Sequence, residues 1–321
     1  MDISKIIKII TYVEKNYKVD EWNINGIHLW PFIRLENRYL LSFFALNKEA
    51  RSEGNSSYVS KVMTSKPRLL LSKLKDATKE DSYKQADVLF LGNGISFSKL
   101  NDKWYQKLCD PIADELKTYN IRSLRLEMSY NFLIPRHNKS KFIQPEVDNV
   151  IIASMIKSKI KQPLFKDEHW ADYDNFLSDP FVKENIVKLP SKNDIRKKIA
   201  KIEALCKFYN KILTKVKPKV IFVPAYYGDQ QLALIVACKR LNIKTVDIQH
   251  GVQGGSHLGY GNWYNVPQKG FAQLPDYFAV WSEEEKEAID IWSKDIDTHK
   301  VLITGNLFAD IWKDDTNPIV K

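Results

Sequence analysis

Short apolar runs separated by longer amphipathic stretches set the pattern of this chain. Lys219-Val-Ile-Phe-Val223 and Thr245-Val-Asp-Ile248 are too short for helices and nearly continuous in apolar residues, as parallel strands covered on both faces are. Between them, Gln231-Leu-Ala-Leu-Ile-Val-Ala-Cys238 is long enough for a right-handed crossover helix. The same reading places strands near 87–91, 122–126, 219–223, 245–248, 276–281 and 300–304, which predict one largely parallel sheet flanked by helices, an α/β fold. Helices are expected at Trp104 to Leu116, at Lys192 to Thr214 and at Ser282 to Trp292, the last opened by Ser282 and three glutamates that suit an N-cap and an acidic first turn.

The remaining segments set the domain plan. Residues 1–85 read as a helical N-terminal extension and linker, with Ile6, Ile7, Ile9, Ile10 and Val13 on one apolar face and a second apolar helix from Phe32 to Leu46. Glu21 to Pro31 predicts a packed corner, and His28 among its apolar neighbours reads as a core histidine. Lys66 to Lys75 has two readings, a basic amphipathic segment on anionic lipid or a linker with a docked leucine cluster. Residues 86–309 form the expected α/β lobe. It is interrupted at about 127–190 by an irregular, partly helical insertion carrying Pro135, Pro145, Pro163, Pro180 and Pro190, and 310–321 reads as an exit linker.

In open α/β sheets the ligand crevice lies beyond the carboxyl ends of the strands. Gln249-His250-Gly251 follows one predicted strand and leads into a loop with Gly254, Gly255, His257, Gly259 and Gly261. Tyr226-Tyr227-Gly228-Asp229 follows another, and Gly92-Asn93-Gly94 a third. The last turn lets backbone approach a ligand, yet it lacks the third glycine and the acidic residue of a dinucleotide fingerprint. His250, Asp229 and the Gly92–Gly94 turn are therefore expected at one edge of the sheet.

Charge and composition narrow the partners only partly. The net charge of +10 favours anionic partners, with nucleic acid, anionic lipid, sugar nucleotide and acidic polysaccharide in competition. No nucleic-acid module is present, and lysines such as those of Asn193 to Lys201 read as a solvated helix face. No stretch reaches the ~18–20 apolar residues of a membrane span, and the amino terminus lacks the features of a secretory signal, so the cytoplasm is the expected compartment. Cys109, Cys206 and Cys238 are far apart and read as ordinary buried thiols, and no cluster has metal-ligand spacing.

Val246-Asp-Ile-Gln-His-Gly251, Leu274 to Ser282 and Val301-Leu-Ile-Thr-Gly-Asn-Leu-Phe-Ala-Asp310 resemble bacterial surface-polysaccharide glycosyltransferases of the GT-B class, those of capsule and lipopolysaccharide synthesis. The resemblance covers about 86–312. It implies a Rossmann-like N-terminal acceptor lobe whose Thr304-Gly305-Asn306 turn leads to a second, donor-binding lobe. With Lys321 as the last residue, the expectation is an acceptor lobe completed by a second lobe or a partner transferase. The substrates implied are a nucleotide-sugar donor and a glycan or lipid-linked glycan acceptor, with peripheral membrane contact at the inner face of the cell membrane. No cofactor, metal or nucleic acid is implied.

That chemistry needs a base for the acceptor hydroxyl and cationic or amide groups for the departing phosphate. His250 is the first candidate for base or phosphate donor, and its other reading is a hydrogen bond within a glycine turn. Asp229 is the second candidate base, or else it serves the start of a helix. Tyr226 and Tyr227 stack on a sugar or belong to the core, while His257 lies in a loop able to close over substrate. Gly92, Asn93, Gly94, Gln249, Gly251, Gly305 and Asn306 complete the candidate binding set. Two other functions stand beside transfer: a non-catalytic glycan-binding or docking module, and an epimerase-like enzyme acting on a sugar nucleotide without acceptor.

Overall fold

The computed structural model describes residues 3–35, 83–94, 96–100, 102–131, 133–186 and 188–313. In chain order, α1 (Ile3–Asn16), β1 (Asn23–Ile24), β2 (Ile27–His28) and α2 (Trp30–Leu35) precede β3 (Val88–Asn93), and the hairpin β4 (Phe97–Leu100) and β5 (Lys103–Gln106) leads to α3 (Asp110–Thr118). Then come β6 (Ser123–Met128), β7 (Ser140–Phe142), α4 (Gln144–Ile160), β8 (Glu168–His169), α5 (Tyr173–Ser178), α6 (Pro180–Asn185) and α7 (Lys192–Val216). The chain continues through β9 (Val220–Pro224), α8 (Asp229–Arg240), β10 (Lys244–Ile248), β11 (Tyr277–Val280), α9 (Glu283–Ser293), β12 (Lys300–Ile303) and α10 (Leu307–Ile311).

Seven strands form one sheet in the order β12-β11-β10-β9-β3-β6-β7, and every pairing within it is parallel. The chain steps outward from β3 to β6 and β7, returns to lay β9 beside β3, then steps outward the other way. That reversal is the Rossmann-like arrangement, and it puts a topological switch point between the carboxyl ends of β3 and β9. The six expected strands all lie in this sheet. The seventh, β7, comes from the stretch read as irregular insertion.

Alternation along the strands sorts the two faces. Val88, Phe90, Val220 and Phe222 meet Cys109, Ile112, Ala113 and Leu116 of α3 on one side. On the other, Leu89, Leu91, Ile221 and Val223 belong to the main core. There α8 has an unbroken buried run from Gln231 to Cys238, because it is covered by α7, which packs in turn on α4. A capping box between Ser191 and Asp194 starts α7. No described helix is long and apolar enough to cross a membrane.

One expectation needs correction. Trp104 to Gln106 is strand rather than helix: Trp104 N–H donates to Pro135 O at 2.9 Å, and its carbonyl accepts from His137 N–H at 3.0 Å. The helix starts only at Asp110, whose carboxylate accepts Gln106 N–H at 2.6 Å, with Pro111 in its first turn. The segment at 127–190 carries the 17-residue α4 and the shorter α5 and α6. In the exit segment, α10 runs through Ile311, and 314–321 lies outside the described residues. So do the basic segment at 66–75 and most of the helix expected at 32–46, of which α2 covers the start.

The N-terminal helices share the core of the sheet. Ile6, Ile9, Ile10 and Val13 are buried, and the β1–β2 hairpin pairs with β8. His28 is half-buried against the core, its Nδ1 accepting Ala272 N–H at 3.2 Å, and burial lowers its pKa to about 4. The cysteines are buried, and burial pushes the thiols of Cys109 and Cys206 up to about 12.

Candidate functional site

Beyond β9 the chain turns sharply at Ala225, which holds the left-handed region (φ 57°), a conformation costly for a residue with a Cβ. The turn sends Tyr226 and Tyr227 back over the end of β10. Tyr226 is fully buried; its N–H donates to Asp247 Oδ1 at 3.1 Å and its hydroxyl to the carbonyl of Gly259. Asp247 Oδ2 accepts the Tyr260 hydroxyl at 2.9 Å. Burial pushes this carboxyl up to about 8 against those two hydrogen bonds, which favours its neutral form. The signal for it in the sequence is an acidic residue between the apolar Val246 and Ile248 of a strand.

Tyr227 stands one step further out. Its hydroxyl lies 2.9 Å from Nε2 of His250, and Gln253 Nε2 stands 3.3 Å from Nδ1 of the same ring. Gln253 Oε1 is buried without a partner among the described residues, and turning the amide over presents that oxygen to Nδ1. His250 then carries its proton on Nδ1 and accepts the Tyr227 hydroxyl at Nε2. Burial lowers the pKa of His250, with a hydrogen bond to the Ile248 backbone acting the other way, so the ring is neutral at pH 7. His257 completes the group, its ring centroid 5.5 Å from that of Tyr227 and 4.8 Å from that of Tyr260. Burial and then the neighbouring His250 lower its pKa as well.

The loop bearing His257 is held from the N-terminal helices. Arg34 Nε donates to Leu258 O at 3.0 Å and its Nη2 to Gly261 O at 2.6 Å, while Nη1 pairs with Glu14 at 2.5 Å in full burial. Glu14 also accepts Tyr264 N–H at 2.6 Å. Gly261 permits the closure, since a Cβ there would lie 2.5 Å from Gly255 O. Gly251, in contrast, has open space around its Cβ position.

The remaining candidates fall into separate places. Gln249 is buried and bridges strand ends, accepting Trp281 N–H at 2.6 Å and donating to Gly251 O at 2.9 Å and Glu285 at 3.2 Å. With Gly305 and Asn306 it lines a mainly apolar cavity of about 200 Å³ beside Phe222, Ile248 and Phe308. Asn306 also caps α10 by accepting Ala309 N–H at 3.2 Å. Gly92 and Asn93 are not a tight turn but the last residues of β3, with Asn93 in register with Met128 of β6, and a Cβ on Gly94 would come within 3.0 Å of Met128 O.

Asp229 differs from its reading as a base. Gly228 holds the N-cap position of α8, and the Asp229 carboxylate lies 2.5 Å from Lys198 and 2.5 Å from Lys201. Burial opposes its ionisation, but the two ammonium groups outweigh that and hold the pKa at about 2. A carboxylate so stabilised is a poor proton acceptor and ties α8 to α7. Because the folded value lies below the unfolded one (~3.9), the pairing stabilises the protein above that pH and is lost as pH falls towards 2. Asp229→Asn is expected to cost about 2 kcal/mol at pH 7 and to flatten the loss of stability between pH 4 and 2. Urea titrations across that range check it.

No protein-family model matches the chain, and no curated protein matches it significantly. Among solved structures, the UDP-GlcNAc 2-epimerase of Methanocaldococcus jannaschii is similar at 13% identity over 70% of this chain and 46% of that one, with a TM-score of 0.34. The UDP-GlcNAc 2-epimerase of Neisseria meningitidis, bound to UDP-GlcNAc, is similar at 16% identity over 70% and 47%, also at 0.34. The chain spans about half the length of these structures. So loose an overlap leaves function to the geometry of the site.

Among the described residues, no three His, Cys, Asp or Glu side chains group to hold a metal ion. What the site offers is a neutral imidazole in contact with a phenol, beside a topological switch point, on a loop anchored from behind. Such a pair can accept a proton from a hydroxyl and return it.

Proposed function

We propose that this chain acts on an activated sugar, as the acceptor lobe of a GT-B-type glycosyltransferase of surface-polysaccharide synthesis. The observation that supports the reading is the Tyr227–His250 contact of 2.9 Å at the carboxyl ends of adjacent parallel strands, next to the switch point. In this reading an acceptor hydroxyl lies against the pair. As its oxygen bonds to the anomeric carbon of the donor, the bond from that carbon to the nucleotide diphosphate breaks. The hydroxyl proton passes to Nε2 of His250, directly or by a concerted shift through the Tyr227 hydroxyl. A neutral His250 at pH 7 is ready to take it. The lipid-linked acceptor and the partner or second lobe holding the donor belong to the same proposal, as does work at the inner membrane face.

The test is release of nucleoside diphosphate from a panel of nucleotide sugars, UDP-GlcNAc included, with and without acceptor glycans and with any co-encoded transferase. Acceptor-dependent release with a new glycosidic product is expected. Isomerised sugar nucleotide formed without acceptor would replace transfer by epimerisation, and glycan binding without turnover would leave a binding module.

A further inference from the structure

A second cavity opens on the other side of the switch point, where β3 and β6 end. It has a volume of about 270 Å³ and is lined by Gly94, Ser96, Phe97, Trp104, Asn131 and Arg136 among others. Its walls are joined before any ligand arrives. Trp104 of the β4–β5 hairpin is hydrogen-bonded through its backbone to Pro135 and His137, and Gly94 brings the opposite wall down on Met128.

Charge decides what fits. Arg136 is the cation in the lining, but its Nε lies 3.0 and 3.2 Å from the carboxylate oxygens of Glu127, and its Nη2 lies 2.5 Å from one of them. Glu127 is fully buried. Arg136 also covers the face of Phe97, 4.6 Å from its centroid. The cation is therefore neutralised and held in place, and among the described lining residues no uncompensated positive charge faces the cavity to attract a phosphate or carboxylate.

Trp104 is the other half of the observation. It is half-buried, lines the cavity, and makes no ring contact and no side-chain hydrogen bond with the described residues. An indole offers a broad apolar face with an N–H donor at its edge, which suits a ligand that is apolar on one side and hydroxylated on its rim. The volume of about 270 Å³ leaves room for one hexose ring.

We propose that this cavity binds a single uncharged sugar ring of the acceptor glycan, with Trp104 as stacking surface and donor. The identity of that ring as acceptor rests on the transferase reading. Methyl glycosides of neutral hexoses and N-acetylhexosamines, titrated by saturation-transfer NMR, probe the site, with methyl glucuronide and inorganic phosphate as anionic competitors. Wild-type protein is expected to bind a neutral glycoside that the anions do not displace. Trp104→Ala weakens binding at least tenfold, and Trp104→Phe by less. Unchanged binding in folded Trp104→Ala, equal competition by glucuronide or phosphate, or no neutral glycoside bound would overturn the proposal. Binding that depends on Trp104 without transfer by any donor would sink the transferase reading alone. Transfer with an acceptor KM indifferent to Trp104→Ala would sink the sugar-ring site alone.

Discussion

His250→Ala is expected to lower turnover by about 10² to 10⁴-fold, the range typical of a lost general base, with the acceptor KM little changed. Tyr227→Phe removes one hydrogen bond to the ring and should cost less, roughly tenfold or under. The pH dependence follows from burial: since the pKa of His250 is lowered, turnover rises with pH through a value below the usual 6.5 and is flat across neutrality. Steady-state kinetics of the two variants between pH 4.5 and 8 check this. A profile centred above 6.5, or a His250→Ala protein within threefold of wild type, would remove His250 from the chemistry.

The second large effect lies far from that ring. Arg34→Ala should destabilise the protein by about 3–5 kcal/mol, because Glu14 is left buried without its cation. Burial already pushes the Glu14 carboxyl above its ordinary pKa despite Arg34, Trp30 and the Tyr264 N–H, so removing the guanidinium forces it to protonate. The change also releases the carbonyls of Leu258 and Gly261 and uncovers the Trp263 ring, over which Arg34 sits at 4.1 Å. The double variant Glu14→Gln/Arg34→Met, which removes both charges, should lose less than Arg34→Ala alone. Urea unfolding measures the energies, and faster amide exchange in 254–265 should accompany them. A loss under 1 kcal/mol would show that the clamp is ornamental to the loop.

The parallel strands were legible because strands covered on both faces tend to be apolar nearly throughout, and Val220–Pro224 carries that mark. Strand β7 carries no such mark, since Ser140-Lys-Phe142 is three residues on a sheet edge with one apolar side chain. Trp104 was read into a helix because its strand is only four residues long and runs within a few residues into α3. The loop after β10 was legible from histidine and glycines placed at a strand end, which needs only chain order. Asp229 was not, because Lys198 and Lys201 lie on another helix and only packing of α7 on α8 brings them to the carboxylate. The clamp was equally hidden, with Arg34 and Gly261 separated by 227 positions. Both misses are long-range electrostatic contacts, which no local period records.

In the proposed reaction an activated sugar and its acceptor meet over the carboxyl ends of β9 and β10. Hydrogen–deuterium exchange of the protein with and without nucleotide sugar and acceptor glycan, together with any partner transferase, tests this. Slowed exchange in 225–228 and 249–261 is expected when both ligands are present. Ligand-dependent protection confined to other segments, with these two unchanged, would contradict it.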